Sequence, residues 1–447
     1  MGTKVEVHEV IQAGGGDGLV RESAIERPIP AHPAAGAPGG WSLDVRGWAV
    51  GAAAPVTHVE FALPGVTLRR VPCDVARAAL AQERPDLPGI GSSGFYATLS
   101  ALDLPRPFEL RVDAVVADGR RAPIGVIRGT RAALTTSAAP RLQPLMVSGP
   151  GRSGSTIFMQ MLAGHPGVTV HPPFDEEPRV ATYWVEVLRA LARPQSWMRQ
   201  IAPVGPLNDE WWLGHRDPAP RRLRSQPLQE WLAGEAVEDL ARFAQSRIEA
   251  AYTRIGADQG KPGAAYFAEK VRNDIVPDLL WELYPEAREV VLVRDPRDVL
   301  TSVLAATRKR GARPLPEDPE RWVAEEFSGR IMTVLESWRR RRDRTHLVRY
   351  EDLMLQPRET LGGVVGHLGG EHDADVVGRM IESAERRVPG MDEHRTTPDA
   401  GSSIGRWRRD LAPELVAACE RAVGPALEAW GYAEQSPKSP ARAPTSA

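Results

Sequence analysis

The stretch LMVSGPGRSGSTIFMQMLAGHP, residues 145–166, constrains this chain more than any other. An apolar run of strand length meets a turn containing three glycines. A second apolar run, of helical length, follows until Gly164–Pro166 stops it. A strand, a tight glycine turn and a helix N-terminus bring backbone N–H groups and a positive dipole end to one point. A chain organised around such a unit folds as α/β, and the point it creates suits an anion such as a phosphate.

The loop departs from the nucleotide-triphosphate pattern G-x-x-x-x-G-K-[ST] in one informative way. Gly149 and Gly154 keep the spacing and Thr156 supplies the hydroxyl, but Ser155 stands at the lysine position and the positive charge has moved to Arg152. No acidic residue follows a strand in a place suited to hold Mg²⁺, so triphosphate chemistry lacks two of its usual parts. A sulfuryl group in transfer carries less charge than a phosphoryl group and needs no metal clamp. One or two cationic side chains can stabilise the leaving phosphate, and Arg152 is placed to be one of them.

The rest of the chain divides by pattern. Residues 1–30 are polar and glycine-rich around Ala13–Gly18 and read as a loose arm. Over 31–134, WSLDVRGWAV, VTHVEFAL, VTLRRVPC, FELRVDAVVADG and IGVIRG alternate between Gly, Pro and Asp turns, the signature of an all-β sandwich. Trp41, Trp48, Phe61 and Phe95 are expected in its core. Residues 135–144 form a small-residue, Pro-containing linker. Over 145–433 strands and helices alternate: REVVLV precedes RDPRDVLTSVLAATRKR, THLVRY precedes PRETLGGVVGHLG, and APELVAACERAVGPALEAWGY closes the series. That alternation predicts a mostly parallel sheet covered by helices on both faces. Residues from about 185 to 258 read as a helical insert, and the Pro/Ser-rich residues 434–447 as a disordered tail.

Composition narrows the classes. With 42% hydrophobic residues among 447, the chain can build sizeable cores, and a formal net charge of −2 gives no global reason to expect nucleic acid or membrane as partner. Five lysines leave 51 of the 56 basic residues as arginine, which implies a GC-rich bacterial genome. Cys73 and Cys419 are too few and too far apart for a disulfide framework or a Cys-based zinc site, and read as buried thiols. The N-terminus lacks the charged and apolar regions of a signal peptide, and no apolar run reaches membrane-spanning length, so the expectation is a soluble, cytoplasmic protein. His165, His346, His367 and His394 lack the spacing of metal ligands and read as structural.

Four motifs in order carry a resemblance. From about Pro144 to Tyr432 the chain resembles the PAPS-dependent sulfotransferases, PAPS being 3′-phosphoadenosine 5′-phosphosulfate. The likeness is to bacterial members and to the tyrosylprotein and glycan branch. GRSGST, residues 151–156, resembles the family's 5′-phosphosulfate loop and implies cofactor contacts at Arg152, Ser153, Gly154, Ser155 and Thr156. VLVRDPRDVLTSVL, residues 291–304, resembles the segment whose arginine and serine hold the 3′-phosphate, here Arg294 and Ser302. VRYEDLMLQPRETLGGVVGHLG, residues 348–369, contributes Tyr350, and SIGRWRRDLAPEL, residues 403–415, resembles the late cofactor-contacting segment and contributes Ser403 and Arg406.

Sulfuryl transfer needs a base for the acceptor hydroxyl. The resemblance implies a glutamate in a Glu-x-Arg element, matched by Glu177-Pro178-Arg179, with Arg179 orienting the base or the acceptor. Glu176, Asp175 and His171 are the alternatives nearby. Lys270, in YFAEKVRND, matches a family lysine that supports the leaving phosphate, although Val271-Arg272 replace the usual Lys-x-Pro continuation. No metal is implied. The insert carries Trp184, Trp197, Trp211, Trp212 and Trp231 with Arg221, Arg222 and Arg224, residues suited to a sugar face and to anionic groups. The β region resembles sandwich modules found beside bacterial glycosyltransferases and sulfotransferases. The expected acceptor is therefore a carbohydrate or glycoconjugate hydroxyl. The competing acceptors are a peptide tyrosine and a small metabolite, and the competing classes are an ATP- and Mg-dependent P-loop kinase and a non-catalytic scaffold.

Overall fold

The computed structural model describes residues 4–13, 18–30, 40–87, 89–171, 179–193, 213–214, 226–271, 278–309, 318–370, 373–386, 396–397, 399 and 401–433. They fall into two compact units. One comprises Met1–Ala139, Tyr183–Arg247 and Pro277–Leu283, the other Pro140–Thr182, Ile248–Val276 and Tyr284–Ala447.

The first unit holds two antiparallel sheets. One has the order β1 (Val5–Gln12), β8 (Arg121–Arg131), β7 (Phe108–Val116), β4 (Val56–Leu63), β5 (Val66–Pro72), and the other β2 (Val20–Arg27), β3 (Ser42–Gly51), β6 (Gly94–Ser100). Their inner faces share a core in which Trp41, Trp48, Phe61 and Phe95 are all buried, as expected. Phe61 of one sheet meets Phe95 of the other edge-on, ring centroids 6.2 Å apart.

Residues 1–30 correct the expectation of a loose arm, because they contain β1 and β2. The glycines that suggested an arm lie between the strands, while VEVHEVIQ pairs along β8 with Val5 and Val7 buried. Gln12 clips the two strands together, donating to the Ile25 carbonyl at 2.8 Å and accepting from the Ile25 N–H at 2.9 Å. Of the residues from about 185 to 258 read as a helical insert of the α/β region, those up to Arg247 cluster with the β strands, in the segment Tyr183–Arg247, and those from Ile248 with the parallel sheet. Contacts distant in sequence accompany that grouping: the Trp41 N–H donates to the Ala233 carbonyl at 3.2 Å and the Thr136 hydroxyl to Gln245 Oε1 at 2.6 Å. Lys4 pairs with Glu238 at 2.7 Å, and Asp103 binds both Arg189 and Arg193.

In the second unit five parallel strands run in the order β10 (Val168–Thr169), β11 (Tyr266–Val271), β9 (Gln143–Ser148), β12 (Arg288–Val293), β13 (Thr345–Arg349). Among the described residues the longer helices are α1 (Ser155–Ala163), α2 (Val180–Leu191), α3 (Glu235–Asp258), α4 (Pro296–Lys309), α5 (Ser328–Arg340), α6 (Pro357–His367), α7 (Ala374–Glu385) and α8 (Pro413–Ala429). The β12 run REVVLV explains the layering. Val290 and Leu292 point into a core with α1, α6 and α7, and Val291 and Val293 into a second core with α4, α5 and α8. A strand buried on both faces reads as a continuous apolar run, which is what the sequence shows.

The winding of this sheet creates a site. From β9 the chain passes through α1 to β10 on one side, whereas β12, the neighbour on β9's other side, leads through α4 to β13. Connections that diverge from adjacent strands leave a crevice at their carboxyl ends, where ligands of open α/β sheets bind.

His367, the last residue of α6, stacks on His346 of β13 with ring centroids 5.5 Å apart. Burial, with His346 and Arg288 nearby, pushes His367 down to about 4, and burial also lowers His346. The unfolded chain therefore takes up protons near pH 6.5 that the folded chain refuses until about pH 4. Stability is lost as pH falls through that window. Thermal unfolding at pH 7 and pH 5 is expected to show a drop in Tm for the wild type and a smaller drop for His367→Gln.

Candidate active site

The loop after β9 sits at the crevice, and its backbone is unusual in three places. Gly149 has φ +153°, Arg152 φ +73° and Gly154 φ +90°. A side chain at Gly149 would lie 2.1 Å from the Leu292 carbonyl oxygen of β12, and one at Gly154 would lie 2.4 Å from the Tyr350 ring. Arg152 holds a left-handed conformation without being glycine, a state that costs about 1–3 kcal/mol and persists only where its surroundings enforce it. Here they do. The Arg152 carbonyl accepts from Arg294 Nη1 at 3.4 Å, and its Nε donates to Ser302 Oγ at 3.1 Å. The loop ends in the first turn of α1, where Ser155 and Thr156 carry N–H groups that an α-helix leaves without internal acceptors.

Arg294, the first residue past β12, is buried and central. Its Nη2 donates to the Ser403 carbonyl at 2.5 Å, and its guanidinium lies over the Tyr350 ring, 4.8 Å from the centroid. The Tyr350 hydroxyl and Ser403 Oγ are 3.1 Å apart. Ser302 Oγ also lies 3.5 Å from Thr396 Oγ1, which accepts from Arg406 Nη1 at 3.1 Å. From the far side Lys270, at the end of β11, donates to Thr156 Oγ1 at 3.2 Å. Arg152, Thr156, Lys270, Arg294, Ser302, Tyr350, Ser403 and Arg406, drawn from separate motifs, thus meet in one crevice. The buried Ser153 Oγ and Arg294 Nε have no hydrogen-bond partner among the described residues. Two unpaired buried polar groups, close-approach glycines and a donor set rich in cations fit a phosphate-bearing ligand.

A second ring of groups holds the first. Asp298, on the opening turn of α4, accepts from the Gly405 N–H at 2.6 Å and the Trp407 N–H at 3.0 Å, fixing the segment that carries Ser403 and Arg406. Burial pushes the Asp298 carboxyl up, while Arg294 and these two N–H groups pull it down. Arg297 is fully buried. It binds Asp295 at 2.8 and 2.9 Å, Glu420 at 2.7 Å and the Tyr432 carbonyl at 3.1 Å, and it lies 4.0 Å over Trp407. Glu351, raised chiefly by burial, accepts from the Asp295 N–H at 3.0 Å and the Tyr432 hydroxyl at 2.5 Å. A buried network with its members satisfied in this way rigidifies the strand end it surrounds.

The candidate base falls differently. Asp175, Glu176 and Glu177 lie outside the described residues, as do Trp197, Trp211, Trp212, Arg221, Arg222, Arg224 and His394. Arg179 is exposed, immediately before α2, and His171 is half-buried with Nδ1 unpartnered among the described residues. His165 and His346 are half-buried, His165 accepting from the Gly167 N–H at 3.0 Å. Cys73 and Cys419 are both buried free thiols. Among the described residues no group of three His, Cys, Asp or Glu could hold a metal ion, and no helix is long and apolar enough to cross a membrane. Sequence reading missed Thr396, which joins Ser302 to Arg406, and the holding role of Asp298. Asp298 had a signal, an acidic residue in the first turn of a helix; Thr396 had none.

The fold and the crevice define a parallel α/β unit with a glycine loop facing a strand-end arginine, an arrangement suited to an anion. A profile described as "Sulfotransferase family" matches residues 144–374, and the chain belongs to that family. It is similar to carbohydrate sulfotransferase 1 of Homo sapiens, 29% identical in an alignment of 157 residues that covers 32% of this chain and 38% of the relative. It is also similar to the nodulation protein NoeE of Sinorhizobium fredii, 24% identical over 61% of this chain and 62% of the relative. The chain thus spans about two fifths of the length of the carbohydrate sulfotransferase it matches. Among solved structures, the sulfotransferase domain from the curacin biosynthetic pathway is 19% identical over 63% of this chain and 98% of its own, TM-score 0.35. Mouse sulfotransferase SULT7A1 complexed with PAP is 11% identical over 64% of this chain and 84% of its own, TM-score 0.36.

Gly154→Ala combines a left-handed φ with a side chain driven into the Tyr350 ring. It is expected to destabilise the protein by about 1–3 kcal/mol, read as a lowered urea midpoint at unchanged m-value.

Proposed function

We propose that this protein transfers a sulfuryl group from PAPS to a hydroxyl of a carbohydrate or glycoconjugate. The observation that carries the reading is the joining of Arg152, Ser302 and Arg294 at the point where the sheet's connections diverge. Family membership supports the reaction class, and similarity to a carbohydrate sulfotransferase supports the acceptor class.

In this reading the first-turn N–H groups of α1, with Ser153, Ser155 and Thr156, hold the 5′-phosphosulfate end of the donor. Arg294, Ser302, Tyr350, Ser403 and Arg406 hold its 3′-phosphoadenosine end. PAPS supplies an activated sulfuryl group whose leaving group is a phosphate. Arg152 and Lys270 stand where negative charge grows on the bridging oxygen, and a preorganised cation there favours the transition state over the ground state. Lys270 is held by Thr156 at 3.2 Å, so the ammonium is oriented before a donor arrives. Glu177 removes the acceptor proton, and Arg179 orients it or the acceptor. The acceptor oxygen attacks sulfur in line, its proton passing to the base as the S–O bond to the phosphate breaks.

The test is calorimetric titration with PAP, the desulfated product, with and without Mg²⁺, and with ATP in parallel. Tight, metal-independent PAP binding is expected, weakened about 10- to 100-fold in Arg294→Ala, the loss of hydrogen bonds to a charged group. ATP binding that needs Mg²⁺, with none to PAP, would return the site to the kinases.

Turnover gives a second check. Arg152→Ala is expected to lower kcat about 10²–10³-fold, by analogy with the loss of an oxyanion-hole donor. Glu177→Gln is expected to lower it about 10²–10⁴-fold with PAP affinity unchanged. Near-wild-type sulfation by both variants rules the mechanism out.

A further inference from the structure

Glu269 and Lys270 are neighbours on β11, so their side chains leave opposite faces of the strand. Lys270 reaches Thr156 of the loop. Glu269 is fully buried, and its carboxylate meets the start of α2. Oε1 accepts from the Ala181 N–H at 2.6 Å and from the Tyr252 hydroxyl at 2.5 Å. Oε2 accepts from the Thr182 N–H and the Thr182 hydroxyl, both at 3.3 Å. Tyr252 is itself held, stacked on Phe267 of the same strand with centroids 4.1 Å apart.

A carboxylate buried among apolar residues is costly unless its oxygens are bonded and its charge is met. Here four donors and the positive end of a helix meet it. The arrangement costs more than an apolar contact and specifies more, since it sets both the position and the direction of the first turn of α2. Arg179 stands two residues before Ala181 and leads directly into that turn.

We infer that Glu269 is a positioning residue for the transfer site, tying the first turn of α2, which Arg179 immediately precedes, to the same strand end that presents Lys270 to the loop. One pair of adjacent residues thereby sets the leaving-group side and the acceptor side from a common origin. The assignment rests on the proposed function for its catalytic consequence, but the positional part stands apart from it.

The experiment compares wild type, Glu269→Gln and the milder Tyr252→Phe in the full chain. Amide hydrogen exchange is followed in peptides covering 179–190, with cleavage by trypsin after Arg179 alongside. PAP affinity and PAPS conversion to PAP with water as the acceptor are measured on the same samples. Glu269→Gln is expected to speed exchange at Ala181 and Thr182 at least tenfold and to speed cleavage after Arg179. PAP affinity should stay within twofold, and PAPS turnover should fall at least tenfold at unchanged KM for PAPS. Tyr252→Phe should move the same readouts in the same direction by less.

Unchanged exchange and cleavage in both variants overturns the inference. So does faster exchange spread evenly over the chain with PAP affinity lost in step, which marks a general structural role. So too does local loosening at undiminished turnover, which removes the catalytic consequence. Failure of the wild type to bind PAP would sink the proposed function instead, while the exchange data would still judge what Glu269 holds.

Discussion

Adjacent parallel strands whose connections leave in opposite directions cannot have their carboxyl ends covered by the same helix. That constraint at β9 and β12 governs the second unit. It leaves the loop after β9 facing the residue after β12, and the chain fills the opening with Arg152 and Arg294. The hydrogen bond from Arg294 to the Arg152 carbonyl closes the gap between the two strand ends. The left-handed turn at Arg152 is affordable because that bond and the one to Ser302 hold it on both sides. Everything else in the crevice is arranged around the pair. Tyr350 lies under Arg294, and Ser403 takes its remaining arm.

The surrounding charges follow from burying so much arginine. Arg297 is sealed from solvent and is met by two carboxylates, a carbonyl and an indole face. Removing any one of these would leave a buried charge short of partners, and that penalty is steeper than the gain from forming the bond. Asp298 plays the complementary part, a buried carboxylate met by backbone N–H groups from a segment more than a hundred residues away. The site is thus defined by polar groups that must find each other for the fold to close.

Much of this was legible in the sequence because it is local. REVVLV announces a strand buried on both faces, and the Gly149–Gly154 spacing announces the turn, each within a window of ten residues. Arg152, Arg294 and Ser302 could be brought together on paper because each belongs to a motif with its own pattern. Other features have no local pattern. Thr396 sits in an unremarkable polar stretch, and its value comes from two partners distant in sequence. Glu269 reads as a strand residue beside a lysine, and only the packing of α2 gives it a task. The first thirty residues read as an arm from their glycine content, whereas VEVHEVIQ forms β1. The grouping of 183–247 with the β strands is accompanied by contacts distant in sequence, such as Asp103 with Arg189 and Arg193 and Lys4 with Glu238, which no local pattern announces.

The contact between Gly154 and Tyr350 ties together two distant parts of the sequence. The aromatic ring fills the volume that any side chain at 154 would occupy, so the loop motif and the strand-end motif share one piece of space across nearly two hundred residues of chain. Neither position is free to drift alone. A larger residue in the loop demands a smaller one after β13, and a smaller one there opens a void beneath Arg294. The two positions are therefore coupled through one volume, and a change of size at either is felt at the other.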